Sequence, residues 1–240
     1  MNRKSEGVMK SRSFARVEGP TGLKALHLYT VGHSNQKMSQ LIDLLHQHRI
    51  NAVADVRSIP FSRRLPQFNK PELETQLPRH DILYVFLGKE LGARREEDSA
   101  YDGLQASYER IAELPAFQSG IQRVIKGINK GLTMALLCAE RDPIMCHRAI
   151  LVSRHLQSKG IHVDHIHGNG TIENHKSLEK RMFKVLHKLG IIESSGYALQ
   201  LDLLGREIAC DNARQPNHEI EEAYRQQGKR IAYSKDFAVA

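Results

Sequence analysis

The chain of 240 residues contains no tryptophan and three cysteines, Cys138, Cys146 and Cys210. An odd and small number of cysteines does not build a disulfide framework, and it favours a reducing compartment such as the cytoplasm. No apolar run approaches the roughly 18 residues that a membrane-spanning helix needs, so we expect no membrane association. The N-terminal segment, MNRKSEGVMKSRSFARVEGP, lacks the apolar centre of a secretory signal. These absences together predict a cytoplasmic protein.

Several familiar catalytic motifs are also missing. A phosphatase-type loop needs an arginine six residues after its cysteine, but Val152 occupies that position after Cys146. No glycine-rich loop ends in Gly-Lys-Ser/Thr, and GNG at 168–170 is too short for a dinucleotide fingerprint. No Cys-x-x-Cys pair occurs, so the usual signature of zinc ribbons and of thioredoxin-like chemistry is lacking. The sequence therefore names no cofactor.

Positive charge is in excess and unevenly distributed. The formal net charge is +8 and the isoelectric point is about 9.4. Residues 1–24 hold six Lys/Arg and two Glu, which is half of that excess. This segment has too few apolar residues to offset its ordering entropy, so we predict a disordered basic leader. Basic character fits an anionic small molecule or nucleic acid as partner, and it is also common in ordinary cytoplasmic enzymes.

Apolar runs alternate with amphipathic helical patterns between residues 26 and 166. The predicted strands are LHLYTVG (26–32), INAVADVRS (50–58), DILYVFLG (81–88), GLTMALLCAE (131–140) and IHVDHIHG (161–168). The predicted helices cover 36–49, 70–80, 104–129 with an interruption at Pro115, and 147–159. Strands separated by helices favour an α/β fold, a mostly parallel sheet of five or more strands with helices on both faces. A partial barrel is the alternative.

The pattern changes after Gly170, so we assign residues 25–170 to an α/β domain that carries the site. Residues 171–240 are predicted to form a helical C-terminal extension. Within it, NHKSLEKRMFKVLHKLGI (174–191) is a basic amphipathic helix. A polar break, DNARQPNHE (211–219), precedes a last short segment, KRIAYSK (229–235).

Each predicted strand ends in a polar cluster. Ligands of open parallel sheets bind beyond the carboxyl ends of the strands, so these clusters mark the candidate site. They are His33 with Ser34; Asp55 with Arg57, followed by Arg63 and Arg64; Lys89 with Glu90; Cys138 with Glu140; and His165 with His167. Adjacent strands lie about 4.8 Å apart, so neighbouring clusters should converge.

The stretch LLCAERDPIMCHRAI (136–150) carries the most reactive groups of the chain. Cys146 precedes a predicted helix, and the helix dipole and Arg148 should lower the pKa of its thiol. One interpretation is an enzyme in which Cys146 is a nucleophile or an acid and His33 or His147 transfers protons. Arg57 and Arg148 would then bind an anionic substrate group. The alternative is a buried structural thiol beside a salt-bridged loop.

Two non-enzymatic interpretations remain open. A zinc or iron site could take Cys138, Cys146 and His147, with a fourth ligand from His33, His165 or His167, although the spacing matches no common structural site. A nucleic-acid-binding protein would use Arg63, Arg64 and the basic 176–188 helix on phosphates. The sequence leaves the substrate and the oligomeric state undetermined.

Four phrases together resemble a bacterial family named domain of unknown function 488. They are YTVGHSN, VADVRSIPFSRRLPQFNK, YVFLGKELGARR and ALLCAERDPIMCHRAILVSRHL, and the resemblance covers roughly residues 26–170. All the residues that characterise the family are present in this chain. They are Gly32, His33, Ser34, Asp55, Arg57, Pro60, Gly88, Leu91, Gly92, Cys138, Glu140, Cys146, His147 and Arg148. The resemblance implies a soluble bacterial protein and an enzyme, but it supplies no reaction.

The candidate site therefore has two predicted parts. The predicted catalytic residues are Cys146, His147, Arg148, Cys138, Glu140, His33 and Asp55. The predicted substrate-binding residues are Arg57, Ser34, Arg63, Arg64 and Lys89. We predict that most of them meet in one pocket at the carboxyl edge of the sheet.

Overall fold

The computed structural model describes residues 26–193 and 216–238, so the predicted leader (1–24) and Cys210 lie outside the described residues. Its strands are β1 (His27–Gly32), β2 (Ala52–Asp55), β3 (Leu83–Phe86), β4 (Tyr101–Asp102), β5 (Gln105–Ala106), β6 (Met134–Cys138), β7 (His162–Ile166) and β8 (Ile172–Asn174). Its α-helices are α1 (Met38–Gln47), α2 (Lys70–Gln76), α3 (Gly88–Leu91), α4 (Tyr108–Glu113), α5 (Pro115–Asn129), α6 (Arg154–Gln157), α7 (His175–Lys188) and α8 (Pro216–Ile231). A π-helical segment, Arg148–Ser153, precedes α6.

Six strands form one sheet in the order β3-β2-β6-β1-β7-β8, and β4 pairs with β5 in a separate hairpin. Every pairing from β3 to β7 is parallel, whereas β8 pairs antiparallel with β7. The mostly parallel α/β sheet is thus confirmed. In the part of the chain described here the sheet is open at β3 and β8, which distinguishes it from a barrel.

Two apolar clusters cover the two faces of the sheet. On one face, Leu41 of α1 and Leu73 of α2 pack with Val53 and Leu137 of the strands. On the other face the buried residues come from β1, β2, β6, the hairpin, α3, α4, α5, the π-helical segment, α6, α7 and α8. Strand β6, MALLC, is buried along its whole length because it is a central strand of the sheet and both of its faces are covered. Helices on both faces are therefore confirmed.

The C-terminal helices pack on the second face of the sheet. Met182 and Phe183 of α7 and Ala223 and Tyr224 of α8 are buried in that core. Helix α8 begins at Pro216, inside the stretch predicted as a polar break, and continues to Ile231. Proline is favoured in the first turn of a helix, where no intrahelical partner is lost. No helix among the described residues is both long and apolar enough to cross a membrane.

Two predicted helices differ from the structure. Residues 104–107 do not begin a helix; Gly103, with φ of 60°, turns the β4–β5 hairpin, and Ser107 then caps α4 by accepting from the Arg110 amide. The predicted helix 147–159 starts as the π-helical segment, in which the Ser153 hydroxyl donates to the Arg148 carbonyl at 2.6 Å. Single π-turns of this kind occur often at functional sites.

The strand register brings the polar ends to one edge. Gly32 at the end of β1 pairs with Cys138 at the end of β6, and Asp55 at the end of β2 pairs with Leu137. The loop after β6 then passes directly over β1, since a Cβ added to Gly32 would lie 1.8 Å from the Glu140 carbonyl oxygen. Glycine is required at this crossing, and the crossing fixes where the candidate site lies.

Candidate functional site

A cavity of about 340 Å³ opens at the carboxyl edge of the sheet, beside the end of β6. Cys138, Glu140, Cys146 and His147 line it, and we call these four residues the thiol cluster. Cys138 ends β6, and Cys146 lies between the 3₁₀ turn Pro143–Met145 and the π-helical segment. The loop that connects β6 to the next helix therefore folds back and places the second thiol beside the first.

One carboxylate oxygen joins the two thiols. Glu140 Oε2 lies 2.9 Å from Cys146 Sγ and 3.1 Å from Cys138 Sγ. His147 Nδ1 lies 3.7 Å from Cys138 Sγ, and the Nε2–H donates to the Val56 carbonyl at 3.0 Å. That backbone bond fixes the ring, so Nδ1 is the nitrogen that faces the sulfurs.

The two thiols have opposite pKa shifts. Burial by itself raises the pKa of Cys146, but the hydrogen bond from Cys138 and the positive groups of Arg148 and His147 outweigh it, and the pKa falls well below its usual value. Burial and the neighbouring Cys146 raise the pKa of Cys138 well above its usual value. These shifts favour the thiolate form at Cys146 and the thiol form at Cys138.

The two proton-carrying neighbours are shifted toward their protonated forms. Burial and then the charge of Cys146 raise the pKa of Glu140. Burial lowers the pKa of His147, but the hydrogen bond and charge of Cys146 and the charge of Glu140 outweigh it, so the net shift is upward. A thiolate with two groups that hold protons more tightly than usual is an arrangement suited to general acid catalysis.

Arg148 lies behind the cavity and is fully buried. Its guanidinium donates to the carbonyls of Glu140 at 2.6 Å and Arg141 at 3.2 Å, and to Thr30 Oγ1 at 3.4 Å. Within the described residues no carboxylate forms an ion pair with it. A buried charge needs compensating groups, and the charge of Arg148 in turn lowers the pKa of Cys146. Arg148 therefore anchors the loop and favours the thiolate form of Cys146.

A second group of residues, the Asp55 cluster, lies next to the thiol cluster at the same edge; it comprises His33, Asp55, Arg57 and Tyr84. Asp55 accepts from Arg57 Nε at 2.9 Å, from Arg57 Nη2 at 2.6 Å, from the Arg57 amide at 3.1 Å and from the Tyr84 hydroxyl at 2.9 Å. Arg57 also donates to the Phe68 carbonyl at 2.9 Å and to His33 Nε2 at 3.1 Å. Asp55 is thus fully hydrogen-bonded and fully buried.

His33 is held neutral inside this cluster. Burial, the largest cause, lowers its pKa to about 4, and the charges of Arg57 and Arg148 act in the same direction. Its Nδ1–H donates to the Ser34 carbonyl at 2.8 Å, and its ring stacks on Phe68 with centroids 4.3 Å apart. With both ring nitrogens bonded, His33 supports Arg57 rather than facing the cavity.

The predicted site residues are therefore distributed over several positions. Those that line the cavity are Cys138, Glu140, Cys146, His147 and Arg57. Those that support it from behind are Arg148, His33 and Asp55. Ser34 instead lines a second, polar cavity of about 580 Å³ with Arg141 and His167. Arg63, Arg64 and Lys89 are exposed and line neither cavity.

The two histidines predicted at the end of the fifth strand, His165 and His167, are occupied elsewhere. His165 is fully buried, accepts from Thr30 Oγ1 at 2.7 Å and contacts His175 at 2.9 Å, and His175 contacts the Tyr224 hydroxyl at 2.7 Å. This row ties α7 and α8 to the sheet. His167 is 3.2 Å from Glu173. These partners keep both histidines away from the thiol cluster.

A metal ion has a ready set of ligand atoms in the thiol cluster. The sulfurs of Cys138 and Cys146 and a ring nitrogen of His147 lie within 4.8 Å of one another. Two thiolates and one imidazole are a donor set that suits zinc. The bond from His147 to the Val56 carbonyl is the kind of outer contact that orients metal-ligating histidines.

Sequence reasoning missed several residues of the cavity wall, among them Phe61, Arg94, Tyr108, Met145 and Tyr233. Tyr108 begins α4 and Tyr233 follows α8, so both reach the cavity through tertiary packing that no local pattern encodes. Arg94 could have been considered from the sequence, because it lies in the phrase LGARR within the resemblance. The adjacent Arg95 carries the same charge, so the sequence does not distinguish the two.

The model of a family described as "Domain of unknown function DUF488" matches residues 37–155. The matched range includes α1, the whole Asp55 cluster except His33, and the thiol cluster. Comparison with curated proteins and with solved structures gives no match.

Proposed function

We propose that this chain, whose residues 37–155 match the DUF488 family model, is a cytoplasmic enzyme acting on a small anionic substrate through the Cys146 thiolate. The observation that carries the proposal is the thiol cluster itself. Two buried sulfurs share one carboxylate oxygen at the wall of a cavity, and the pKa of one of them is strongly lowered. Buried structural thiols have no such partners.

Each residue of the cluster has a role in this reaction. Cys146 attacks an electrophilic atom of the substrate, while Cys138 stabilises the thiolate by donating to it. His147 and Glu140, whose pKa values are raised, supply a proton to the leaving group. Arg148 holds the loop, and Arg57, paired with Asp55, forms part of the cavity wall.

Alkylation by iodoacetamide tests the proposal without knowledge of the substrate. We expect Cys146 to be modified at neutral pH faster than Cys138, whose pKa is raised, with peptide mass spectrometry assigning each site. Arg148→Ala should slow the modification because the thiolate loses its buried counter-charge, and Arg148→Lys should slow it less and preserve folding. Equal, slow modification of Cys146 and Cys138 in the folded protein would contradict the proposal.

A second candidate, a metal centre in the thiol cluster, is favoured by one specific observation. The His147 Nε2–H donates to the Val56 carbonyl, which leaves Nδ1 directed at the two sulfurs, as in a ligating histidine. Protein purified without chelators should then carry about one zinc ion per chain, and Cys138→Ser should lose it. Metal-free protein whose Cys146 is freely alkylated would exclude this candidate.

A further inference from the structure

Three exposed apolar side chains lie at the mouth of the cavity. Ile59 is 60% exposed, Phe61 is 64% exposed and Met145 is 46% exposed, and all three line the cavity. Among the described residues, seven large apolar side chains are exposed, so three of them border one opening. Apolar side chains grouped at a cavity mouth are typical of a surface that contacts a ligand.

One arginine without an ion-pair partner among the described residues lies at the same opening. Arg94 is exposed, its amide donates to Ser58 Oγ at 2.9 Å, and its guanidinium lies 4.6 Å from the centre of the Tyr233 ring. Within the described part of the chain it forms no ion pair, whereas the adjacent Arg95 is bound by Glu97 at 2.7 Å. The charge of Arg57, the other arginine of the wall, is already matched by Asp55. Arg94 is therefore the cation available to a ligand.

A tyrosine also contributes to the cavity wall. Tyr108 is largely buried and lines the cavity, and burial and then the charge of Cys146 raise the pKa of its hydroxyl. That hydroxyl has no hydrogen-bond partner among the described residues, and it is not one of their fully buried unpartnered atoms. It is therefore accessible and can form a hydrogen bond with a polar atom of a ligand.

We infer, on the basis of the proposed function, that the substrate is an organic anion with an apolar body of about the size of one ring. Its charged group binds Arg94, its apolar body contacts Phe61 and Met145, and its reactive end lies near Tyr108 and Cys146. A cavity of about 340 Å³ accommodates a molecule of this size. A single free arginine at the mouth suits one anionic group rather than the phosphate chain of a nucleic acid.

Calorimetric titration with phenyl phosphate, inorganic phosphate and benzyl alcohol tests this inference directly. We expect phenyl phosphate to bind about tenfold or more tightly than either of the other two, because only it offers both charge and ring. Arg94→Gln should weaken phenyl phosphate binding about fivefold, as for a partly exposed ion pair. Phe61→Ala should weaken it to a similar extent without affecting inorganic phosphate. Arg79→Gln, which removes an exposed arginine outside the cavity, is the matched control.

The outcomes separate this inference from the proposed function. If phenyl phosphate binds no more tightly than inorganic phosphate, or if Arg94→Gln and Arg79→Gln bind it equally, the inference is overturned, whatever the reactivity of Cys146. If Cys146 resists alkylation while phenyl phosphate binding depends on Arg94 and Phe61, the result supports the binding site and contradicts the proposed thiolate chemistry. Protection of Cys146 from iodoacetamide by phenyl phosphate would support both.

Discussion

The Asp55 cluster and the thiol cluster lie side by side at one edge of the sheet, yet their carboxylates differ in hydrogen bonding and in exposure. Asp55 accepts four hydrogen bonds and has no exposed surface. Glu140 retains exposed surface although burial raises the pKa of its carboxyl group, and its Oε2 lies within hydrogen-bonding distance of both sulfurs. Asp55 therefore completes a structural ion pair. Glu140 instead belongs to a group of titratable side chains with displaced pKa values beside a cavity.

This contrast separates stability from reactivity. A buried charge whose hydrogen bonds are all formed stabilises the fold, so its removal destabilises the folded state. Groups whose pKa values are displaced in opposite directions, and which face a cavity, are typical of active sites. Changes in the Asp55 cluster should therefore reduce stability, and changes in the thiol cluster should alter chemistry with little cost in stability.

The largest expected effect comes from Asp55→Ala. The substitution leaves the Arg57 guanidinium buried without its partner, which typically costs about 3–5 kcal/mol of the free energy of unfolding. Urea unfolding followed by circular dichroism measures this loss. Cys146→Ser, a near-isosteric change in the thiol cluster, is the control and should cost about 1 kcal/mol or less. Equal losses in the two variants would remove the distinction between the clusters.

Acid should destabilise the protein through His33. Its pKa in the folded chain is about 4, below the unfolded value near 6.5, so the folded state binds fewer protons in that interval. Stability should be unaffected above about pH 7 and should fall as the pH drops from 6.5 toward 4, by about 2 kcal/mol at pH 5 from this residue. Urea unfolding at several pH values measures the slope, which His33→Gln should make shallower. An unchanged slope would mean that His33 is not held neutral.

Much of the fold was predictable from the sequence because burial leaves a local trace. MALLC, for example, is apolar throughout since a central parallel strand is covered on both faces. The edge at which the polar residues meet follows from parallel pairing alone. The C-terminal extension was correctly predicted as helical, but the start of helix α8 was predicted as a polar break. Its pattern, PNHEIEEAYRQQGKRI, is mostly polar, and its few buried residues, such as Ala223 and Tyr224, are set by packing on α7 and α4.

The division between the two clusters was not predictable. In the sequence Asp55-Val-Arg57 and Cys138-Ala-Glu140 are both short polar endings of apolar runs. What separates them is supplied from distant segments: the Tyr84 hydroxyl and the Phe68 carbonyl complete the hydrogen bonds of the Asp55 cluster. No such donor reaches Glu140 among the described residues except the two thiols. Long-range hydrogen bonding of this kind has no local pattern.

Cys138→Ala should raise the pKa of Cys146 by about one unit, equivalent to about 1.4 kcal/mol, because the thiolate loses the hydrogen bond from its neighbour. The pH dependence of the iodoacetamide rate measures this pKa. Cys138→Ser keeps a hydroxyl that can donate, so its shift should be smaller. An identical profile in wild type and in Cys138→Ala would show that Arg148 and His147 hold the thiolate without help from the second thiol.

The smallest effect should come from Arg64→Ala, outside both clusters. Arg64 is exposed and lines neither cavity, although sequence reasoning placed it among the substrate-binding residues. Exposed substitutions away from caps, cavities and ion pairs usually change stability by no more than about 0.5 kcal/mol. Its unfolding free energy, alkylation rate and phenyl phosphate affinity should all match those of wild type. A selective loss of phenyl phosphate affinity would extend the binding surface from Arg94 to the segment after Phe61, and the ligand would then carry more negative charge than one anionic group.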